Sequence, residues 1–177
     1  LTNTEIDIIQ TTLTELGKDG YRMLAVGLAI FEGENYPEEQ QDFKFDFKGI
    51  IAFYDPPKEN IKQVLQDFDN AGIAVKLVTG DNANTAMAIA KQINFKGYEK
   101  CISGDELMLL SDAELQEKVK DIKVFSRMFP DAKLIIVNAL KKNNEIVAMT
   151  GDGVNDGPAL KASHIGIAMG KKGTEIA

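Results

Sequence analysis

Met149-Thr150-Gly151-Asp152-Gly153-Val154-Asn155-Asp156-Gly157-Pro158-Ala159-Leu160 continues an apolar run that begins at Ile146. A strand pattern ends in a small-residue turn that holds two carboxylates and a carboxamide within five positions. That combination points to phosphoryl chemistry with a magnesium ion. Gly151 and Gly153 can take backbone conformations closed to other residues. The turn can therefore hold Asp152 at the carboxyl end of a strand, where open α/β sheets gather their ligands. Asp156 is expected to cap the next helix, with Pro158 tolerated in its first turn. Hard oxygen donors in such a turn suit Mg²⁺, which binds through one or two carboxylates and keeps its waters and phosphates. A bare Gly-Asp-Gly is also an ordinary turn; the longer string carries the reading.

Working back from this turn, strand and helix patterns alternate from Lys48 onward. Lys48 to Tyr54 reads as a buried strand and ends at Asp55-Pro56-Pro57. Lys58 to Ala71 carries Ile61, Val64, Leu65 and Phe68 at helical spacing, and Gly72 ends it. Ala74 to Val78 is a second strand and Asn82 to Ile93 a second helix. A less regular stretch follows, with a helix expected at Asp112 to Val119. Lys123 to Ser126 is a third strand, Asp131 to Lys142 a third helix and Glu145 to Met149 a fourth strand. A short helix from Pro158 and a strand at Ile165 to Met169 end the series. Such alternation predicts an α/β fold, a Rossmann-like parallel sheet flanked by helices with right-handed crossovers. Residues 1–47 break the repeat: a helix-like Thr4 to Leu16, a strand-like Tyr21 to Phe31 and an acidic loop from Glu32 to Asp42. They are expected to be a small α+β remnant of another domain, with 48–177 as the main one.

The 177 residues suffice for one substantial core or for one domain plus a fragment. A net charge of −7 argues against a general nucleic-acid surface. Cys101 is alone, which excludes an intrachain disulfide and a cysteine zinc site and fits a reducing compartment. The longest apolar runs, such as Met23 to Phe31, are too short to span a bilayer. With no initiator Met and a last residue just past a strand-like run, the chain reads as a soluble piece cut from a longer protein.

Four further pieces bear on phosphoryl transfer. In Lys76-Leu77-Val78-Thr79-Gly80-Asp81-Asn82 a strand feeds a Thr-Gly-Asp turn at a helix start, where a hydroxyl and unpaired backbone N–H groups can hold a phosphate. A helix cap supplied by Thr79 or Asp81 is the plain structural alternative. Phe129-Pro130-Asp131-Ala132-Lys133 opens a helix, and Lys133 can neutralise a transferring phosphoryl group; taken singly it reads as a surface charge. Asp55-Pro56-Pro57-Lys58 follows an apolar strand, but two prolines make a stiff turn and Asp55 a poor nucleophile. Asp67-Phe68-Asp69 lies on a helix pattern and is rejected as a nucleophile motif. Arg22 opens a strand, and its forked donors suit phosphate oxygens as well as a solvated strand end. His164 at a strand edge has no second ligand in sight. Phe43, Phe45 and Phe47 alternate at strand period and read as core.

In order and spacing these motifs resemble the P-type cation-transporting ATPases, whose Thr-Gly-Asp-Gly-Val-Asn-Asp hinge elaborates the acidic motif of the haloacid-dehalogenase-like superfamily. The resemblance to their phosphorylation domain covers roughly three quarters of the chain, and the first quarter resembles the end of their nucleotide-binding domain. It implies that Thr79 and Gly80 approach the γ-phosphate, Asp81 the ribose and Lys133 the phosphoryl group. Asp152 is implied as the Mg²⁺ ligand, with Asn155 and Asp156 completing the site. Arg22 is similar to the family's phosphate-contacting Arg, and Asp55 to Lys58 to its Asp-Pro-Pro-Arg turn beside the nucleotide. Lys58 replaces that Arg, which puts a bidentate contact in doubt; Gly157 stands for a common Ala and His164 for a common Asp.

The family's nucleophile lies in Asp-Lys-Thr-Gly-Thr, a string absent here. The resemblance implies a parent that is an integral membrane protein with ATP as substrate, with this segment on the cytoplasmic side. The partners it implies are the nucleotide-binding, actuator and transmembrane domains of the same polypeptide, and a cation bound outside this segment. The general look is closer to calcium-type than heavy-metal pumps. A stand-alone phosphatase of the superfamily would need a strand followed by Asp-x-Asp near the start, and none is present. A nucleophile-less nucleotide or Mg²⁺ binding regulatory module remains the rival.

Overall fold

The computed structural model describes residues 1–33, 35–151 and 154–169. The chain forms two compact units, Leu1–Pro56 and Pro57–Ala177. The first opens with α1 (Asn3–Lys18). Thr2 and Glu5 close its amino terminus reciprocally: the Glu5 N–H donates to the Thr2 hydroxyl at 3.3 Å, and the Glu5 carboxylate accepts from the Thr2 N–H at 2.7 Å. Strands β1 (Arg22–Leu28) and β2 (Asp46–Phe53) form an antiparallel pair running from Arg22↔Phe53 to Leu28↔Asp46, with a bulge at Val26/Gly27. The run read as a buried strand at the head of the parallel series is therefore the partner of β1. It is not buried, since its face carries Leu24, Ile51 and Phe53, all exposed. β2 straddles position 47 and its pairing ends at Phe53, ahead of Pro56-Pro57; the unit ends at Pro56. Phe43 and Phe45 precede the strand and gather with Phe31 and Tyr36 in a surface cluster of rings rather than a core.

The second unit is α/β. Its elements are α2 (Ile61–Asn70), β3 (Leu77–Val78), α3 (Ala83–Gln92), β4 (Cys101–Ser103), α4 (Gly104–Met108), α5 (Asp112–Asp121) and β5 (Val124–Ser126). They continue with α6 (Pro130–Lys142), β6 (Ala148–Gly151), α7 (Gly157–Ala162) and β7 (Ile165–Ala168). Among the described residues every strand pairing in this unit is parallel, in the orders β3-β5-β4 and β6-β7.

Alternation along the strands assigns the two faces. Leu77, Val124 and Cys101 point to the side covered by Ile61 and Leu65 of α2 and by Ala86 and Ala90 of α3. Val78, Phe125 and Ile102 point to the other, under Leu115 and Val119 of α5 and Ala132, Ile136 and Ala139 of α6. Phe125, Val119 and Val124 are fully buried. Helix α6 also serves β6, because Val137 and Leu140 pack with Val147, Met149 and Ala159. One helix thus ties both parallel sheets to a shared position. Among the described residues no helix is long and apolar enough to cross a membrane.

The irregular stretch after Ile93 contains β4 and α4, which periodicity missed because both are short. The expected strand at Ala74 to Val78 narrows to β3, and that at Glu145 to Met149 moves to β6. Glu145 is drawn into the end of α6, where its N–H bonds to the Leu140 carbonyl at 3.1 Å.

Candidate phosphoryl site

At the carboxyl end of β3, Thr79-Gly80-Asp81 is laced to the segment leaving β5. The Thr79 N–H donates to the Phe125 carbonyl at 2.9 Å, and the Met128 N–H returns to the Thr79 carbonyl at 2.9 Å. The Arg127 N–H donates to the Asp81 carbonyl at 2.8 Å. Arg127 reaches it from a left-handed conformation, φ 48°, which is uncommon outside glycine. Within the turn, the Asp81 N–H donates to the Thr79 hydroxyl at 3.1 Å, and that hydroxyl lies 3.2 Å from the Asp81 carboxylate. Neither Thr79 nor Asp81 caps α3. Asn82 does, accepting from the Thr85 N–H at 3.0 Å. The capping alternative for Thr79 and Asp81 therefore fails, and both stay with the turn. A Cβ added to Gly80 would meet nothing within 4 Å, so this side of the turn is open to a ligand.

The segment from β5 runs into α6 with Pro130 in the first turn, a position that needs no N–H. Lys133 sits one turn in, and its ammonium donates to Oδ1 of Asp156 at 2.6 Å. The two side chains are 14% and 10% exposed, and Asp156 is the one buried charged residue among those described. Asp156 does stand at the N-cap position of α7, but its carboxylate makes no cap bond. The expected cap is corrected: the carboxylate turns to Lys133, because a bond charged on both sides at low exposure outweighs one to a neutral backbone N–H.

Gly151 is a strand residue, not one of the left-handed glycines. Its requirement is close approach, since a Cβ there would lie 2.5 Å from the Asp156 Cβ and 2.7 Å from Oδ2. Asn155 is exposed in a single 3₁₀ turn, Val154–Asp156. Asp152 and Gly153 lie outside the described residues. Among the described residues no three His, Cys, Asp or Glu side chains converge.

The structure thus joins Thr79, Gly80 and Asp81 to the start of α6, and Lys133 to Asp156 and the end of β6. Lys58 is exposed in the turn before α2, and its carbonyl accepts from the Ile61 N–H at 3.1 Å. Arg22 and Asp55 belong to the first unit, at the start of β1 and after β2. His164 acts as a splice: its Nδ1 accepts from the Val147 N–H at 3.1 Å, and its own N–H donates to the Val147 carbonyl at 2.9 Å. The residue that sequence reasoning overlooked is Arg127. Its signal was its place directly after a buried strand.

Comparison with known proteins gives two findings. A family model described as haloacid dehalogenase-like hydrolase matches residues 17–164. The whole chain is 36% identical over 181 residues to calcium-transporting ATPase 1 of Saccharomyces cerevisiae, covering 19% of that protein. It is 39% identical over 170 residues to the calcium-transporting ATPase of Bacillus subtilis, covering 95% of this chain and 19% of the relative. With calcium-transporting ATPase type 2C member 1 of Homo sapiens the identity is 36% over 177 residues, covering 99% of this chain and 18% of the relative. The chain therefore spans about a fifth of the length of these relatives.

Proposed function

The chain belongs to the haloacid dehalogenase-like hydrolase family, and from that premise we propose that it is part of the catalytic segment of an ATP-driven cation pump. In this reading the pump works through an aspartyl phosphate. Residues 48–177 are its phosphorylation domain without the nucleophile, and 1–47 are the end of its nucleotide-binding domain. The observation that carries the reading is the nearly buried Lys133–Asp156 pair beside Gly151 at the end of β6, with Lys133 a few residues beyond Phe125, Arg127 and Met128, to which Thr79 and Asp81 are hydrogen-bonded. A cation and a carboxylate held this way are prepared before substrate arrives, which is how phosphoryl-transfer sites lower their barriers.

Lys133 neutralises charge on the transferred phosphoryl group. Thr79 and the open Gly80 receive the γ-phosphate, and Asp81 the ribose. Arg22 and Asp55 of the first unit, and Lys58 of the second, are assigned to the nucleotide. The donor set suits Mg²⁺: Asp152 would ligate it, Asn155 and Asp156 would complete the site, and Asp156 has a second oxygen beside Gly151. When bound, the ion supplies charge neutralisation at the phosphate oxygens. The attacking carboxylate, in an Asp-Lys-Thr-Gly-Thr segment outside this chain, would form an acyl phosphate as ADP leaves, dividing one hard step into two. The parent is then a membrane protein with this segment on the cytoplasmic side, and calcium is the leading cation on the names its relatives bear.

The test uses γ-labelled ATP with Mg²⁺. The chain alone should take up no acid-stable phosphate. The parent reading frame should take it up, lose it at alkaline pH, and lose it with Lys133→Ala. Label on the isolated chain overturns the missing nucleophile. A parent that binds nucleotide without any phosphorylation points to the regulatory module instead.

A further inference from the structure

At the opposite end of the three-stranded sheet, a cleft of about 230 Å³ opens between α2 and the segment that follows α3. Its floor is apolar: Leu65 from α2, Val75 ahead of β3, and the buried Ile93 and Phe95. Asn94 takes a left-handed turn, φ 58°, and the Phe95 N–H bonds back to the Ala90 carbonyl at 2.8 Å. That turn ends α3, buries the Phe95 ring and leaves Lys96 at the rim.

The rim is cationic in a protein that is acidic as a whole. Lys62 and Asp69 share the helix face of Leu65, at i, i+3 and i+7. Lys123 comes from the residue before β5, its stem laid against Gly97, where a Cβ would come within 3.1 Å of the Lys123 Cδ. Asp69 is already taken by Lys96, at 2.5 Å. Neither Lys62 nor Lys123 has a carboxylate at ion-pair distance among the described residues. The neighbouring Lys76 ammonium is pushed below its ordinary value by burial first and then by the Lys123 charge, with Glu145 and Asp121 acting the other way.

We propose that this cleft binds a small amphipathic organic anion, a carboxylate on a short apolar body, with Lys62 and Lys123 on the carboxylate and Leu65, Val75 and Phe95 around the body. Three features select this class. The volume lies below the roughly 300 Å³ at which drug-sized sites begin. Lys62 and Lys123 line the same cleft and have no carboxylate at ion-pair distance among the described residues, which favours an anionic head group. The apolar floor rewards a hydrocarbon body over a bare inorganic ion. The site is separate from the phosphoryl cluster, so its existence does not depend on the pump reading.

Hexanoate is the probe, titrated into the chain and followed by amide and methyl NMR shifts. Saturable shifts confined to Leu65, Val75, Phe95 and their neighbours are expected, with hexanol and acetate both weaker. Lys62→Gln with Lys123→Gln should weaken hexanoate by about tenfold, the scale of losing two partly exposed charge contacts. Lys142→Gln, far along α6, should leave it unchanged. Absence of saturable shifts overturns the proposal. So does equal binding of hexanol, or equal weakening by the Lys142 variant. Since the two substituted rim lysines lie outside the core, an unchanged spectrum elsewhere separates lost binding from lost folding.

Discussion

Lys133 and Asp156 lie far apart in sequence, and each is unremarkable alone. Together they place two opposite charges about a tenth exposed, with one oxygen of Asp156 against Gly151. Lys133→Ala should destabilise the chain by about 3 kcal/mol, the lower end for breaking a buried pair, because Asp156 is left uncompensated. Urea unfolding checks this, and Lys133→Met with Asp156→Leu should recover most of the loss. Gly151→Ala should cost about 1–3 kcal/mol by overpacking, since its methyl falls inside the Asp156 side chain. It should also displace the Asp156 carboxylate, visible as a changed Lys133 ammonium signal. Both partners were singled out from the motif. Their pairing was not, because it depends on how α6 lies across the end of β6.

Helices α4 and α5 show what the element scale adds. Ser103 and Glu106, and likewise Ser111 and Glu114, form reciprocal caps that periodicity passes over but the Ser-x-x-Glu spacing announces. Backbone and side-chain bonds to Ser103 hold the Glu106 carboxyl below its usual 4.5, and bonds to Ser111, side chain first, do the same for Glu114. A carboxyl whose folded pKa is depressed stabilises the fold above its unfolded pKa, and loses that contribution as pH falls through the folded value. Helicity of α4 and α5 should therefore decline as pH drops below 4.5, earlier than the core unfolds. Ser103→Ala with Ser111→Ala should remove that acid step; residue-resolved carbon shifts are the check. Strand β4 stayed hidden for another reason: three residues cannot display a period, and it is a strand because β5 offers it a ladder.

At the scale of the molecule, the buried apolar side chains run from Ala86 to Leu160 among the described residues, and none lies in the first unit. Native-state hydrogen exchange should therefore be slowest in β5 and α6 and fastest in β1 and β2, since protection follows burial. Equal protection in β2 and β5 would contradict this. Read alone, the sequence determined the α/β class and the order of the longer helices and strands, β4 and α4 excepted, and it singled out Lys133 and Asp156, which the structure pairs. These follow from local rules: side-chain period, turn chemistry, and strand ends that collect polar residues. Only the tertiary structure decided that the strand before Asp55 pairs backwards with β1, and that Asp156 turns from its cap to Lys133. It also decided that Asn82 caps α3 while Thr79 and Asp81 remain in the turn. The first two outcomes are competitions between partners far apart in sequence, and in the third the turn of Thr79 and Asp81 is held by Phe125, Arg127 and Met128. Each is settled by which groups the packed helices bring within hydrogen-bond reach, and no local pattern records that distance.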